Sequence, residues 1–244
     1  MPREAPVTNA ILPSNGRAIA PSPSSQPLAG DTTKMQLHTY FRSSAAYRVR
    51  IALALKGLAW DPAYVHLLKD GGQQKAPSYR TVNPQGLVPT LVDGDAVIPQ
   101  SLAILEYLEE RHPTPALLPA DPAGRAKARA MALAIVADIH PLNNLRVLTY
   151  LRGTLGQGEE AVKAWIVHWT AEGFAALEQM AEGPDFCIGR APSFADLCLV
   201  PQMFNARRFG VDLTPYPKLV AIDGHCQALP AFQAAAPGRQ GDAE

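Results

Sequence analysis

Tyr40-Phe41-Arg42-Ser43-Ser44-Ala45-Ala46-Tyr47-Arg48-Val49-Arg50 is the stretch whose reading decides the fold. The alternating run Gln36–Phe41 predicts a strand, and the apolar spacing over 46–57 predicts a helix closed by Gly57. Two hydroxyls stand at the junction. A serine there is a good N-cap, and the free N–H groups of a helix start favour an anion. A hydroxyl donor beside the positive end of a helix also favours a thiolate. No cysteine lies in this segment, so a thiol held there has to come from a bound molecule. An ordinary strand-to-helix cap is the competing reading.

Working outward, Ala59–Leu67 reads as a second strand, and Pro62 inside it fits an edge position. A polar loop with Gly71-Gly72-Gln73-Gln74 and a short helix near 76–82 follow. Val88–Val92, the turn Asp93-Gly94-Asp95 and Ala96–Ile98 predict a hairpin. A helix from Ser101 to Arg111 presents Leu102, Ile104, Leu105 and Leu108 on one face. The order β-α-β-α-β-β-α describes a small α/β domain. Residues 112–122 are too rich in proline for a helix or strand to persist. Beyond them the pattern is helical: 123–152 with a kink at Pro141, 159–182, a helix opened by the capping box Ser193-Phe194-Ala195-Asp196, and shorter helices around 217–227. The expected domains are 35–116, α/β, and 117–240, all-helical.

The chain has 244 residues, enough for two modest domains, with 22 Lys plus Arg against 22 Asp plus Glu. That balance argues against nucleic-acid binding and against electrostatic attachment to a membrane. No apolar run approaches the roughly 20 residues of a membrane span. Cys187, Cys198 and Cys226 are odd in number and lack metal-ligand spacing, so neither a disulfide frame nor a metal site is expected. A cytoplasmic protein is the default expectation. Residues 1–34 are rich in Pro, Ser and Ala and lack apolar periodicity, which predicts a disordered extension. They hold no apolar core of a secretory signal, and only Arg3, Arg17 and Lys34 supply the positive charge of a transit peptide. Met35 is the simplest natural start.

Several stretches together resemble the cytosolic glutathione transferases, with a thioredoxin-like first domain and a helical second, over nearly all of residues 35–240. Ser43-Ser44-x-x-Tyr47-Arg48-Val49-Arg50-Ile51-Ala52-Leu53, Lys69-Asp70-Gly71-Gly72-Gln73-Gln74 and Asn83-Pro84-Gln85-Gly86-Leu87-Val88-Pro89-Thr90-Leu91 narrow the resemblance to the zeta class. Asp196-Leu197-Cys198-Leu199-Val200-Pro201-Gln202 and Arg208-Phe209-x-Val211-Asp212-Leu213-Thr214-Pro215-Tyr216-Pro217 complete it.

The resemblance implies glutathione as cofactor. Ser43, with Ser44, would hold its thiol; Val88 would pair its backbone with the cysteinyl part, before a cis Pro89. Gln100 and Ser101 would receive the γ-glutamyl carboxylate at a helix start, and Gln74 the glycyl end. His140, Asn144 and Arg146 would face glutathione across the domain cleft. Arg208, with Arg42, would bind substrate carboxylates. Each has a plainer competing reading: a structural histidine, a loop glutamine, a solvated arginine, an N-cap.

The implied reaction is cis–trans isomerisation of a keto-dicarboxylate, maleylacetoacetate first and maleylpyruvate as runner-up. Conjugation of small α-halo acids is the third reading, and a non-catalytic glutathione-binding scaffold the last. A homodimer is implied as well. One departure stands out: the zeta pattern carries cysteine after the paired serines, and this chain has Ala45. A protein thiol is therefore absent from the place where the cofactor thiol is expected.

Overall fold

Strand β1, Met35–Thr39, turns Met35, Leu37 and Thr39 inward and Gln36 outward, the period-two pattern of a half-buried strand. The structure, a computed structural model, describes residues 34–244; the extension expected over 1–34 lies, but for Lys34, outside the described residues. Helix α1, Ser44–Leu55, follows the serine pair, capped by Ser43 and ended at Lys56, with Gly57 beyond it. Strands β2 (Trp60–Tyr64), β3 (Thr90–Asp93) and β4 (Ala96–Pro99) complete a four-stranded sheet of order β2-β1-β3-β4. β1 runs parallel to β2 and antiparallel to β3, and β3 antiparallel to β4. β2 is an edge strand, which accommodates Pro62, but it ends at Tyr64 rather than at Leu67. The short helix α2 occupies Pro77–Arg80, and α3, Ser101–Arg111, runs over the residues the apolar spacing predicts. β1 and β3 are each displaced from their predicted spans; the Val88-Pro89 bond is cis, as expected.

The single kinked helix expected over 123–152 is instead two helices. α4, Pro122–Leu133, runs into a π-helical stretch, Ala134–Ile139, and a turn over 140–143 precedes α5, Leu145–Gly153. Pro141 brings no N–H to continue the ladder, and the His140 N–H reaches back five residues to Ile135 O at 2.8 Å. Packing supports the widened turn: a Cβ on Gly173 would stand 2.2 Å from Ile139 Cδ1. Gly173 belongs to α6, Glu159–Met180.

Helices α7 (Phe194–Phe209), α8 (Pro217–Gln227) and α9 (Pro230–Ala235) finish the fold. The capping box at Ser193 is formed, and Asp196 also accepts the Cys187 N–H at 2.7 Å. α1 packs against α3, α7 and α9, which buries it on nearly every side, Arg48 and Arg50 included. The proline-rich connector is tied down by Lys56 Nζ, which binds Glu109 at 2.9 Å, His112 O at 2.7 Å and Pro115 O at 2.8 Å. Removing one partner of so buried a pair costs about 3–5 kcal/mol. Among the described residues no helix is long and apolar enough to cross a membrane.

Candidate functional site

A cleft of about 480 Å³ opens where the C-terminal end of β1 meets the helical region. Three elements from the sheet side form one wall: the β1–α1 turn, the loop around Gln74, and the segment leading to β3. The other wall comes from the turn before α5 and from the end of α7.

Ser43 lies at the floor. Its Oγ accepts the Ala46 N–H at 3.2 Å, which leaves its own O–H free to donate into the cleft. The first turn of α1 contains no acidic residue to compete with a bound anion. Ser44 also lines the cleft, but its hydroxyl points to Pro201 O at 3.5 Å, so it ties α1 to α7. Val88 is buried at the rim, and its backbone N–H and C=O have no partner among the described residues. Such a free pair accepts an extended peptide as a further strand.

Gln74 is buried rather than solvated: Nε2 donates to Leu67 O at 3.3 Å and Oε1 has no protein partner. Gly72, at φ +101°, makes room for it, since a Cβ there would stand 2.7 Å from Nε2.

His140, Asn144 and Arg146 all reach the cleft from the helical side. Burial, aided by Arg48 and Arg146, pushes the His140 pKa down to about 3, so the ring is neutral, and its Nδ1 has no partner among the described residues. Asn144 caps α5, accepting the Arg146 N–H at 3.1 Å, and keeps its NH₂ free.

Arg208 and Arg42 stand close enough that Arg42 adds to burial in lowering the Arg208 pKa. Neither forms a salt bridge with a described residue. Arg42 Nη2 donates to Tyr40 Oη at 3.1 Å, and its guanidinium lies 4.7 Å from the Phe41 ring centre. Two guanidinium groups lining one cleft, neither bound to a carboxylate of a described residue, offer a receptor for a dianion.

Three expected residues do not line the cleft. Pro89 is buried behind Val88. Ser101 is buried, its Oγ accepting from Arg48 Nη1 at 3.1 Å. Gln100 is exposed at φ +71° and donates to Gln85 Oε1 at 2.8 Å; Gln85 does line the cleft. A non-glycine residue held there marks a site the surroundings over-determine. Sequence reasoning missed Tyr40, Asn143 and Asn205 on the walls. Asn205 was findable, lying three residues before Arg208 on one helix face. The cysteines are all buried away from the cleft, and burial raises all three thiol pKa values, Cys198 to about 11.

A family profile described as the glutathione S-transferase N-terminal domain matches residues 37–116. The maleylacetoacetate isomerase of Pseudomonas aeruginosa is 49% identical over 209 residues, covering 85% of this chain and 98% of that protein. The holo structure of a maleylpyruvate isomerase, described as a bacterial glutathione S-transferase in the zeta class, superposes with a TM-score of 0.83 at 46% identity, over 86% of this chain and all of the other. The chain belongs to the zeta class of the glutathione transferases. The maleylacetoacetate isomerase of Anaeromyxobacter dehalogenans, solved with glutathione in its active site, is 47% identical, with a TM-score of 0.78, over 86% of this chain and 98% of that one. Within the class, the cleft between the Ser43 turn and the α5–α7 wall is thus the candidate active site of this transferase.

Proposed function

We propose that the protein catalyses glutathione-dependent cis–trans isomerisation of maleylacetoacetate to fumarylacetoacetate. The observation that carries this reading is that Arg42 and Arg208, without a carboxylate partner among the described residues, line the same cleft as the Ser43 hydroxyl. The cleft fits glutathione: Val88 leaves a backbone donor and acceptor unused, and Gln74 Oε1 and His140 Nδ1 are buried without partners. When bound, glutathione would supply the nucleophilic thiolate whose reversible addition to the cis double bond permits its rotation.

The residues of the chain divide the remaining work. Ser43 donates to the sulfur, and the start of α1 favours its negative charge. Val88 holds the cysteinyl backbone, with Pro89 setting the direction of the segment, and Gln74 holds the glycyl end. Gln100 serves the γ-glutamyl end through Gln85, and Ser101 ties the start of α3 to Arg48. His140 acts as a neutral hydrogen-bonding group, with Asn144 and Arg146 beside it. Arg42 and Arg208 anchor the substrate carboxylates and stabilise the negative charge that develops on the ketone side. Ser44 serves by holding α1 against α7.

Maleylpyruvate is the second reading, favoured by Ala45 in place of the class cysteine. Trans-product formation from both substrates, with and without glutathione, separates the two. Glutathione-dependent turnover of maleylacetoacetate in excess of maleylpyruvate is expected. Bound glutathione with turnover of neither overturns the proposal.

We also read the protein as a cytoplasmic homodimer, the sheet-bearing domain of one chain against the helical domain of the other. Exposed Val97 on the edge strand β4 and Leu133 on α4 support an apolar contact. Sedimentation of the purified protein tests the stoichiometry.

A further inference from the structure

Beyond α9 the chain returns to the β1–α1 turn. It passes through a short 3-10 turn, Pro237–Arg239, and brings Asp242 to Phe41. Asp242 Oδ2 accepts the Phe41 N–H at 3.0 Å, and Oδ1 is buried without a partner among the described residues. The carbonyl side of the same turn is held from α1. Arg50 donates from Nη2 to Phe41 O at 3.0 Å, from Nη1 to Tyr40 O at 3.3 Å and Thr39 Oγ1 at 3.0 Å, and from Nε to Ala235 O at 3.0 Å. Arg50 is only 1% exposed, and burial lowers its pKa to about 10 against an opposing influence led by Asp242.

What hangs from residues 40 and 41 is the reacting side of the cleft. The Ser43 N–H donates to Tyr40 O at 3.0 Å, and the Arg42 guanidinium rests on the Phe41 ring. A carboxylate acceptor binds an amide more strongly than a neutral oxygen does, and its charge also favours the buried Arg50 cation. Glu244, which pairs with Lys69 and His66, is an exposed carboxylate screened by solvent, and Gln240 Nε2 donates to Ala234 O and Ala236 O at 3.0 Å, within the same stretch of chain.

We propose that Asp242 is a positioning residue for this reaction: by fixing the Phe41 N–H opposite the Arg50 fork, it holds the Tyr40–Ser43 turn so that the Ser43 hydroxyl and the Arg42 guanidinium face the cleft together. The inference rests on the glutathione-dependent reading above, and a loss of 1 Å in such placement is costly to chemistry.

The test compares the full-length protein with Asp242→Ala, Asp242→Asn and Glu244→Gln. Three readouts are taken: amide NMR signals and exchange of Phe41 and Ser43 without ligand, the pH titration of the thiolate band of bound glutathione, and kcat with KM. Asp242→Ala is expected to speed Phe41 exchange, raise the thiol pKa of bound glutathione and lower kcat by about tenfold, the loss of one charge-assisted hydrogen bond. Asp242→Asn keeps an acceptor and restores most of each, and Glu244→Gln matches the parent protein.

Unchanged Phe41 and Ser43 signals with an unchanged thiol titration in Asp242→Ala overturn the proposal, as does a loss confined to thermal stability. Should Asp242→Ala fail to fold, Asp242→Asn decides by the same signals: a partial shift supports the role and none refutes it. Failure of the parent protein to isomerise either substrate sinks the reaction reading separately, because the ligand-free amide signals still report on Asp242.

Discussion

Two turns face each other across the cleft, and both lead into a helix through a polar cap. Ser43 caps α1 by accepting from Ala46 N, and Asn144 caps α5 by accepting from Arg146 N. Their local chemistry is the same, yet their supports differ. The Ser43 turn is held by a buried guanidinium and a carboxylate brought from position 242, and Ser44 ties it to α7. The Asn144 turn follows a π-helical stretch and leans on α6 through neutral contacts: Trp165 Nε1 to Leu142 O at 2.9 Å, and Asn143 Nδ2 to Thr170 Oγ1 at 3.1 Å. Charged, buried ties fix a backbone to one geometry. Neutral ties beside an unpartnered imidazole leave a surface that a ligand completes.

The sharpest way to break this contrast is to remove the donor on the rigid side. Ser43→Ala should lower kcat about 10²–10³-fold, the scale of one donor to developing negative charge, and cost about 1 kcal/mol of stability as a lost cap. Steady-state kinetics and urea unfolding measure the two effects independently. Next comes the cation between the walls. Arg208→Ala should reduce kcat/KM by about 10–100-fold, through KM for the dicarboxylate and through kcat, and Arg208→Lys should recover little because an ammonium lacks the planar fork.

A backbone test follows. Gly72→Ala places a methyl 2.7 Å from Gln74 Nε2 at φ +101°, so stability should fall by about 1–3 kcal/mol. Glutathione affinity, read by calorimetry, should weaken with it while kcat at saturation changes less.

The last prediction concerns the softer wall. The folded protein keeps His140 neutral down to a pKa of about 3, whereas the reference imidazole protonates near 6.5. Between those values the unfolded state binds the extra proton, so the contribution is complete above pH 6.5 and is lost as pH falls toward 3. From pH 7 to pH 5 it should cost about 2 kcal/mol. Urea midpoints of His140→Asn at the two pH values should show a correspondingly flatter fall. A slope equal to that of the parent protein would mean that His140 is not buried as a neutral ring.

Much of the sheet side is legible in the sequence. Alternation predicts β1, Asp93-Gly94-Asp95 the hairpin, Ser43 the cap and Ser193 the capping box, because each depends on residues a few positions apart. The helical wall is harder. Pro141 announces a disturbance, but whether it bends a helix or splits it depends on what packs alongside, and Gly173 lets Ile139 come close enough for the π-helical stretch. Gln74 reads as a loop residue of either kind, and only the packing of Gly72 and Leu67 around it buries the amide. Resemblance places Gln100 and Ser101 at the site, whereas Ser101 lies under the Arg48 guanidinium and Gln100 reaches the cleft through Gln85.

From the sequence alone came the order of elements, the helix starts that favour an anion, the cleft-facing Ser43, Val88 and Arg208, and the class to which the chain belongs. These follow from caps, periodicity and motifs, which are short-range properties of the chain. Tertiary structure alone decided that Arg42 and Arg208 line one cleft without a carboxylate partner among the described residues, that His140 is held neutral, and that Asp242 reaches Phe41 across 201 positions. Those outcomes depend on which groups desolvate or face one another once distant segments pack, and no local pattern encodes that distance.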